Sequence, residues 1–188
     1  IYNNDDFGIY TRNFGNHYLI NNTIYGNDQG IRVESGANTF IYNCIVQDNG
    51  LNFATSNPVG AIIEMQHSLT NDLDFPDNVT DAAENVLNAD ALFTDPAADD
   101  FSLLETSPAI DLGNPDSSNL NIPTLDILGN PRIDSDIIDL GAIEFQQPLS
   151  IDAVNNFASL KVYPNPTEDF IYVVSDEETS AKIHTIDG

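Results

Sequence analysis

Cationic side chains are scarce in this chain: Lys and Arg together number 5, against 30 Asp and Glu, for a formal net charge of −25. Phosphate backbones and anionic membrane surfaces repel such a molecule, so no nucleic acid is expected as a partner. Cysteine is almost missing too. The single Cys44 excludes an internal disulfide and any Cys-based metal site, and stability has to come from a large core. Cys44 lies between Asn43 and Ile45 in a strand-like run without a basic neighbour to activate it, which marks a structural thiol. No run of about 18 apolar residues occurs, so no membrane-spanning helix is expected. No basic and apolar leader precedes Ile1-Tyr2-Asn3-Asn4, and we expect the chain to be cut from something longer, with any signal peptide upstream. The calcium-loop spacing D-x-[DN]-x-[DN]-G and the glycine-rich nonapeptide repeat are both absent. The acids are scattered among turns, as on a solvated surface. No cofactor is expected, and calcium is left open without an assignable site.

What is present is a repeat. Gly8-Ile9-Tyr10 lies over Gly30-Ile31-Arg32 with a shift of 22 residues, and Ile20-Asn21-Asn22-Thr23-Ile24 over Ile41-Tyr42-Asn43-Cys44-Ile45 with a shift of 21. Tyr25-Gly26-Asn27-Asp28 parallels Val46-Gln47-Asp48-Asn49 in the same way. Periods of about 20 to 50 residues signal solenoids, and the leucine-and-asparagine consensus of the rival leucine-rich repeats is not found. The pieces are short, rich in Ile, Val, Tyr and Thr, and separated by Asn, Asp and Gly, which favours strands joined by tight turns. Strict alternation puts Ile20, Asn22 and Ile24 on one face and Ile41, Asn43 and Ile45 on the same face one coil later. The expectation is a right-handed solenoid with Ile24 stacked on Ile45 and Asn22 on Asn43 as an inward amide ladder. In a third coil Leu69 follows Ile45 after 24 residues and His67 takes the Asn43 position, as a structural substitute or as a base or ligand. His17 and His184 have no partner at metal-binding spacing, and no metal site is expected.

After Asn71 the period breaks, and a series of specific words follows. They are Asn85-Val86-Leu87-Asn88-Ala89-Asp90-Ala91-Leu92-Phe93-Thr94-Asp95-Pro96, Asp100-Phe101-Ser102-Leu103, Ser107-Pro108-Ala109-Ile110-Asp111-Leu112-Gly113, Gly129-Asn130-Pro131-Arg132 and Asp139-Leu140-Gly141-Ala142-Ile143-Glu144. Together they resemble the choice-of-anchor segment that closes many secreted bacterial right-handed β-helices. The resemblance implies a cap, with Phe93, Phe101, Leu103, Ile110, Leu112 and Ile143 as side chains to cover the open end. Arg132, in a chain full of acids, is expected to tie loops together through Asp139, Glu144 or Asp111, with substrate binding as the alternative.

The final stretch has its own pattern. Ser159-Leu160-Lys161-Val162-Tyr163-Pro164-Asn165-Pro166-Thr167-Glu168-Asp169-Phe170-Ile171-Tyr172-Val173 alternates apolar and polar residues around a Pro-Asn-Pro turn, as two strands would, and Ala181 to Ile186 would supply a third. This run resembles the start of the type A sorting domain of the type IX (Por) secretion system of the Bacteroidota, an Ig-like β-sandwich. The resemblance implies export across the outer membrane, with an outer-membrane shuttle protein, a translocon and a sortase-like peptidase as partners, and binding through Tyr163, Pro164, Asn165 and Pro166.

The expected organisation is therefore all-β: terminal coils of a parallel β-helix over 1–70, a capping segment over 71–145, a linker over 146–158 and an incomplete sorting domain over 159–188. Function divides two ways. The first is an exported surface or secreted protein that is adhesive or glycan-binding, with no catalytic site in this segment. The second is a polysaccharide lyase or glycoside hydrolase whose site lies in upstream coils. Arg12, Arg32 and scattered acids nominate no such site here.

Overall fold

The computed structural model describes residues 1–57, 60–75, 77, 79–114, 120–133 and 137–147, with two backbone strands at 161–163 and 172–174. The chain divides into two compact units, Ile1–Gln147 and Pro148–Gly188.

Short runs of β-branched and aromatic residues, each ended by a turn residue, make nine strands in three coils. The first coil holds β1 (Phe7–Thr11), β2 (Gly15–Ile20) and β3 (Thr23–Tyr25). The second holds β4 (Gln29–Glu34), β5 (Ala37–Tyr42) and β6 (Ile45–Gln47), and the third β7 (Leu51–Asn57), β8 (Ile62–Gln66) and β9 (Leu69–Thr70). β10 (Val79–Ala83) adds part of a further coil. Equivalent strands pair in parallel into three sheets, β1-β4-β7, β2-β5-β8-β10 and β3-β6-β9, which is the topology of a parallel β-helix. The parallel pairing continues past residue 70: β10 joins β8, and Val86 bridges Leu69.

Alternation decides what enters the bore. β5 reads buried at Ala37, Thr39 and Ile41 and half-buried between them. Ile24, Ile31, Val33, Ile41, Val46, Ile63 and Met65 are fully buried in one cluster. Burying one such side chain stabilises the fold by about 1.5 to 3 kcal/mol, so stacked coils supply the core that no disulfide supplies.

The register corrects the expected stacking. Leu19 pairs with Ile41, Thr23 with Ile45 and Ile24 with Val46, so the shift through this part is 22 residues, as it is from Ile9 to Ile31. Ile24 does not stack on Ile45, nor Asn22 on Asn43. The cause is the corner between the second and third sheets, where one residue per coil adopts positive φ: Asn21 at 51°, Asn43 at 53° and His67 at 42°. A left-handed residue interrupts strict alternation, and Asn tolerates that conformation better than most residues. Superposing the corners requires Asn21 on Asn43. Ile45 then points away from the bore while Val46 points in. In the third coil Ile45 does pair with Leu69, and His67 does occupy the Asn43 position.

An amide ladder exists, at the corner after the third sheet. The Asn27 Oδ1 accepts from the Asn4 backbone N–H at 3.0 Å and from Asn4 Nδ2 at 2.7 Å. Asn49 Oδ1 accepts from the Asn27 N–H and Nδ2, both at 2.9 Å, and Asn49 Nδ2 donates to Asn52 Oδ1 at 2.8 Å. Asn52 Nδ2 continues to Asn71 Oδ1 at 2.8 Å, and the Gly50 N–H is held by the Asn27 carbonyl at 2.8 Å. Each amide replaces the water its neighbours lose. The position expected for the ladder carries a simpler relay: the N–H of Asn22 donates to Cys44 Sγ, that of Cys44 to Ser68 Oγ, and that of Ser68 to Asn85 Oδ1.

The segment after the coils lies along the outer face of the third sheet. β11 (Phe93–Asp95) and β12 (Asp100–Leu103) form an antiparallel pair, joined by a 3-10 turn at Pro96–Ala98. Phe93, Phe101, Leu103, Ala109 and Leu140 pack with Ile45 and Leu69, and Ile110 and Ile143 lean on the same cluster. Of the side chains expected to cover an open end, these therefore cover a flank of the coils, and Leu112 remains 43 % exposed. Polar groups fasten the flank: Asn21 Nδ2 donates to the Asp139 carbonyl, Ala142 N–H to Thr23 Oγ1, Gly141 N–H to the Asn43 carbonyl and Asn114 N–H to Asn43 Oδ1. Gln47 Oε1 accepts from the buried Ala91 N–H at 2.8 Å. Gln47→Ala leaves that donor without its partner, and the coil unit is expected to lose about 1 to 3 kcal/mol in urea unfolding. An unchanged midpoint would show that the flank does not depend on this bond.

In the second unit, β13 (Lys161–Tyr163) and β14 (Tyr172–Val174) pair antiparallel, with Tyr163 opposite Tyr172. Residues 164–171 between them, Pro164, Asn165 and Pro166 included, and the expected third strand from Ala181 to Ile186, lie outside the described residues. So does His184.

Candidate functional site

The third sheet is covered by the flank, so outward-facing chemistry has to be sought on the first two. On the first, Arg32 bonds Glu34 through Nε at 2.8 Å and Nη2 at 2.6 Å and lies 5.0 Å over the Phe7 ring, while Arg12 sits 5.7 Å over Tyr10. Tyr10 donates to Glu34 at 2.6 Å. Arg32 and Glu34 are thus directed at each other, while Arg12 leans on an aromatic ring.

The second sheet is different. With Leu19, Ile41 and Met65 turned inward, alternation turns Asn16, Tyr18 and Ile20 outward on β2, Asn38, Phe40 and Tyr42 on β5, and Ile62, Glu64 and Gln66 on β8. Register lines these up in three rows along the solenoid: Asn16-Asn38-Ile62, Tyr18-Phe40-Glu64 and Ile20-Tyr42-Gln66. The Tyr18 and Phe40 rings stack at 5.2 Å with 19° between planes, and Tyr18 is 58 % exposed. Asn38 Nδ2 donates to Asn16 Oδ1 at 3.0 Å, and Gln66 Nε2 to Glu64 Oε1 at 2.8 Å. Burial, with the nearby Glu64 and Tyr18, raises the Tyr42 hydroxyl above its usual range, so it stays protonated and able to donate. The face is thus flat, aromatic along its middle and edged by amides. Among the outward residues of β2, β5 and β8 there is one acid, Glu64, where a glycoside hydrolase needs two carboxylates. The described arginines lie elsewhere, Arg12 and Arg32 on the first sheet and Arg132 inside the flank.

Reasoning from the sequence did not single out these rows. The 22-residue shift seen at Gly8 and Gly30, carried on to Asn16 and Tyr18, lands on Asn38 and Phe40 and would have found them.

The residues weighed as chemical candidates are placed as follows. Cys44 is fully buried, and desolvation pushes its thiol up to about 12, which leaves it inert. His67 Nδ1 lies 3.8 Å from the Glu84 carboxylate, and His17 Nε2 is buried without a hydrogen-bond partner. Among the described residues no group of three or more His, Cys, Asp or Glu side chains could hold a metal ion. Tyr163 closes β13.

Arg132 departs from its expected role. It is 5 % exposed and donates to the carbonyls of Gly141 and Ala142, both at 3.2 Å, with no ion pair to Asp139, Glu144 or Asp111. It clamps backbone, because the buried carboxylates around it are already occupied by N–H donors. Asp126 accepts from the N–H groups of Leu128, Asn130 and Glu144, Asp139 from those of Asp111 and Phe145, and Glu144 from that of Asp139. Burial raises the Glu144 carboxyl to about 8, with the charge of Asp139 adding to it.

Among the described residues no helix is long and apolar enough to cross a membrane. No curated protein and no solved structure matches the chain. The family described as right handed beta helix region matches residues 1–86, the stretch that carries the stacked parallel strands, and this part of the chain is a parallel β-helix.

Proposed function

We propose that this chain is the C-terminal portion of an exported, cell-surface or secreted β-helix protein, cargo of the type IX secretion system, whose coils serve adhesion or glycan binding and whose tail is the secretion signal. The observation that carries the reading of the coils is the uncovered aromatic and amide face of the second sheet. Such faces offer stacking and directional hydrogen bonds without a catalytic pair. For the tail, the support is the Val162-Tyr163-Pro164-Asn165-Pro166 motif in a unit separate from the coils, its first two residues on β13, which pairs with β14. Two prolines fix the backbone there, so Tyr163, Pro164, Asn165 and Pro166 can meet the outer-membrane shuttle or translocon at little ordering cost. A sortase-like peptidase then removes the sorting domain.

Export tests the tail. A reporter joined to the tail with its complete sorting domain is followed in a host that has the secretion system, beside the protein cut after Phe145. Retention of the cut protein in the periplasm is the expected result, and equal export of both overturns the proposal.

A further inference from the structure

We propose that the flank is a strap that makes the coils open together, turning a stack that would fray coil by coil into one all-or-none unit. In a solenoid each coil touches its neighbours alone, so an end coil peels away by breaking a single junction. One column of the third sheet departs from that rule. Thr23, Ile45, Leu69 and Val86 stand at equivalent positions in four successive coils, and each of them meets the flank. Thr23 Oγ1 accepts from the Ala142 N–H at 3.0 Å. Ile45 and Leu69 belong to the apolar cluster that holds Phe93, Leu103 and Leu140, and Val86 leans on it.

Polar bonds straddle the junctions in the same way. The Asp139 carbonyl accepts from Asn21 Nδ2 at 3.2 Å on the first coil, while the Gly141 N–H donates to the Asn43 carbonyl at 2.8 Å on the second. Gly141, at φ 92°, lies so close over both that a Cβ there would stand 2.7 Å from Thr23 Oγ1 and 2.8 Å from Ile45 Cδ1. Nearer the last coils, the Ala91 N–H bonds Gln47 Oε1 and the Ala89 N–H the Thr70 carbonyl. Peeling any one coil therefore tears the shared cluster as well as one junction, and the coils left behind lose their cover. Since the coils leave together or not at all, no half-frayed stack presents an unpaired strand edge to another chain.

Hydrogen exchange of the full chain, followed by NMR in rising sub-denaturing urea, tests the strap. Three amides report the three junctions: Ile45 donates to the Asn22 carbonyl, Leu69 to that of Cys44 and His67 to that of Ala83. In the wild type their protection factors are expected to agree within about threefold and to fall with one common urea slope. Gly141→Ala, strained at that φ and crowded by Thr23 and Ile45, lifts the strap without altering a coil residue, and Leu140→Ala removes an apolar anchor. In either variant the junctions should separate, with His67 near the β10 end exchanging at least about tenfold faster than Leu69 in the middle. Val46→Ala, which thins the bore and leaves the flank alone, should lower all three together. Leu140→Val, a smaller truncation, takes the place of any flank variant that fails to fold. Graded protection in the wild type, with His67 well below the other two, overturns the proposal. So does a uniform fall in the flank variants, the pattern of Val46→Ala.

Discussion

Raising the pH from about 4.5 to about 8 destabilises the coil unit, and Glu144→Gln abolishes most of the effect. Unfolded, Glu144 loses its proton near 4.5; folded, burial first and Asp139 second raise its carboxyl to about 8. Between those values the native state holds a proton that the unfolded state has released. The stabilisation is therefore complete below 4.5 and is lost as pH rises through 8. Asp139 is raised as well, by burial most of all, and pulls in the same direction. Asp126 does not offset them. Although burial opposes it, the N–H donors of Asn130, Glu144 and Leu128 hold its carboxyl below the ordinary 3.8, so its contribution changes only in stronger acid. Arg132 favours the ionised carboxylates but is itself desolvated, its guanidinium turned to the carbonyls of Gly141 and Ala142. Each pH unit is worth at most about 1.4 kcal/mol, and the whole window on the order of 3 kcal/mol. Gln retains an oxygen to accept the Asp139 N–H without carrying the ionisable proton. Calorimetric melts at several pH values decide the matter: parallel wild-type and Glu144→Gln profiles would refute it.

Asn27→Ala should cost about 3 to 4 kcal/mol, whereas Asn22→Ala should cost under about 1 kcal/mol. Asn27 is 2 % exposed and makes bonds on both sides: it accepts from the Asn4 N–H and Nδ2, and its own Nδ2 donates to Asn49 Oδ1 and the Tyr25 carbonyl. Truncation strands partners on two coils at once, and bonds arranged in a chain are lost together. The half-buried Asn22 side chain donates once, to the Ile20 carbonyl two residues back. Urea unfolding of both variants ranks the corners directly. Comparable losses would mean that the bonds of Asn27 are no stronger than an ordinary turn contact.

The same pair of residues shows what was legible in the sequence. The period, the parallel strands, the third-coil shift of 24 and the aliphatic bore follow from spacing and alternation, because coils repeat and side-chain direction has a period of two. The register through the second corner was not legible. Ile20-Asn21-Asn22-Thr23-Ile24 matches Ile41-Tyr42-Asn43-Cys44-Ile45 best with a shift of 21, yet the left-handed backbone of Asn21 and Asn43 requires 22. Letters at a turn follow backbone conformation before side-chain identity. One residue of slip then moved the amide ladder to the wrong corner and hid the Tyr18-Phe40 row. The role of Arg132 escaped for a different reason. Its charge pointed to carboxylates, whereas in a buried loop segment the backbone N–H groups reach the carboxylates first and leave the carbonyls to the guanidinium.

Asn49-Gly50 is, as a dipeptide, the sequence most prone to spontaneous ageing, since a glycine nitrogen meets little hindrance in attacking the preceding amide carbon to form a succinimide and expel ammonia. In this fold neither reactant is free. The Gly50 nitrogen has its hydrogen committed to the Asn27 carbonyl, and the Asn49 carboxamide is gripped at its oxygen by Asn27 and at its nitrogen by Ile24, Gln47 and Asn52. Chemical lifetime at this position is thereby tied to conformational opening. The bonds that set the coil corner also act as a preservative, and deamidated Asn49 in old protein would record how often that corner had come apart.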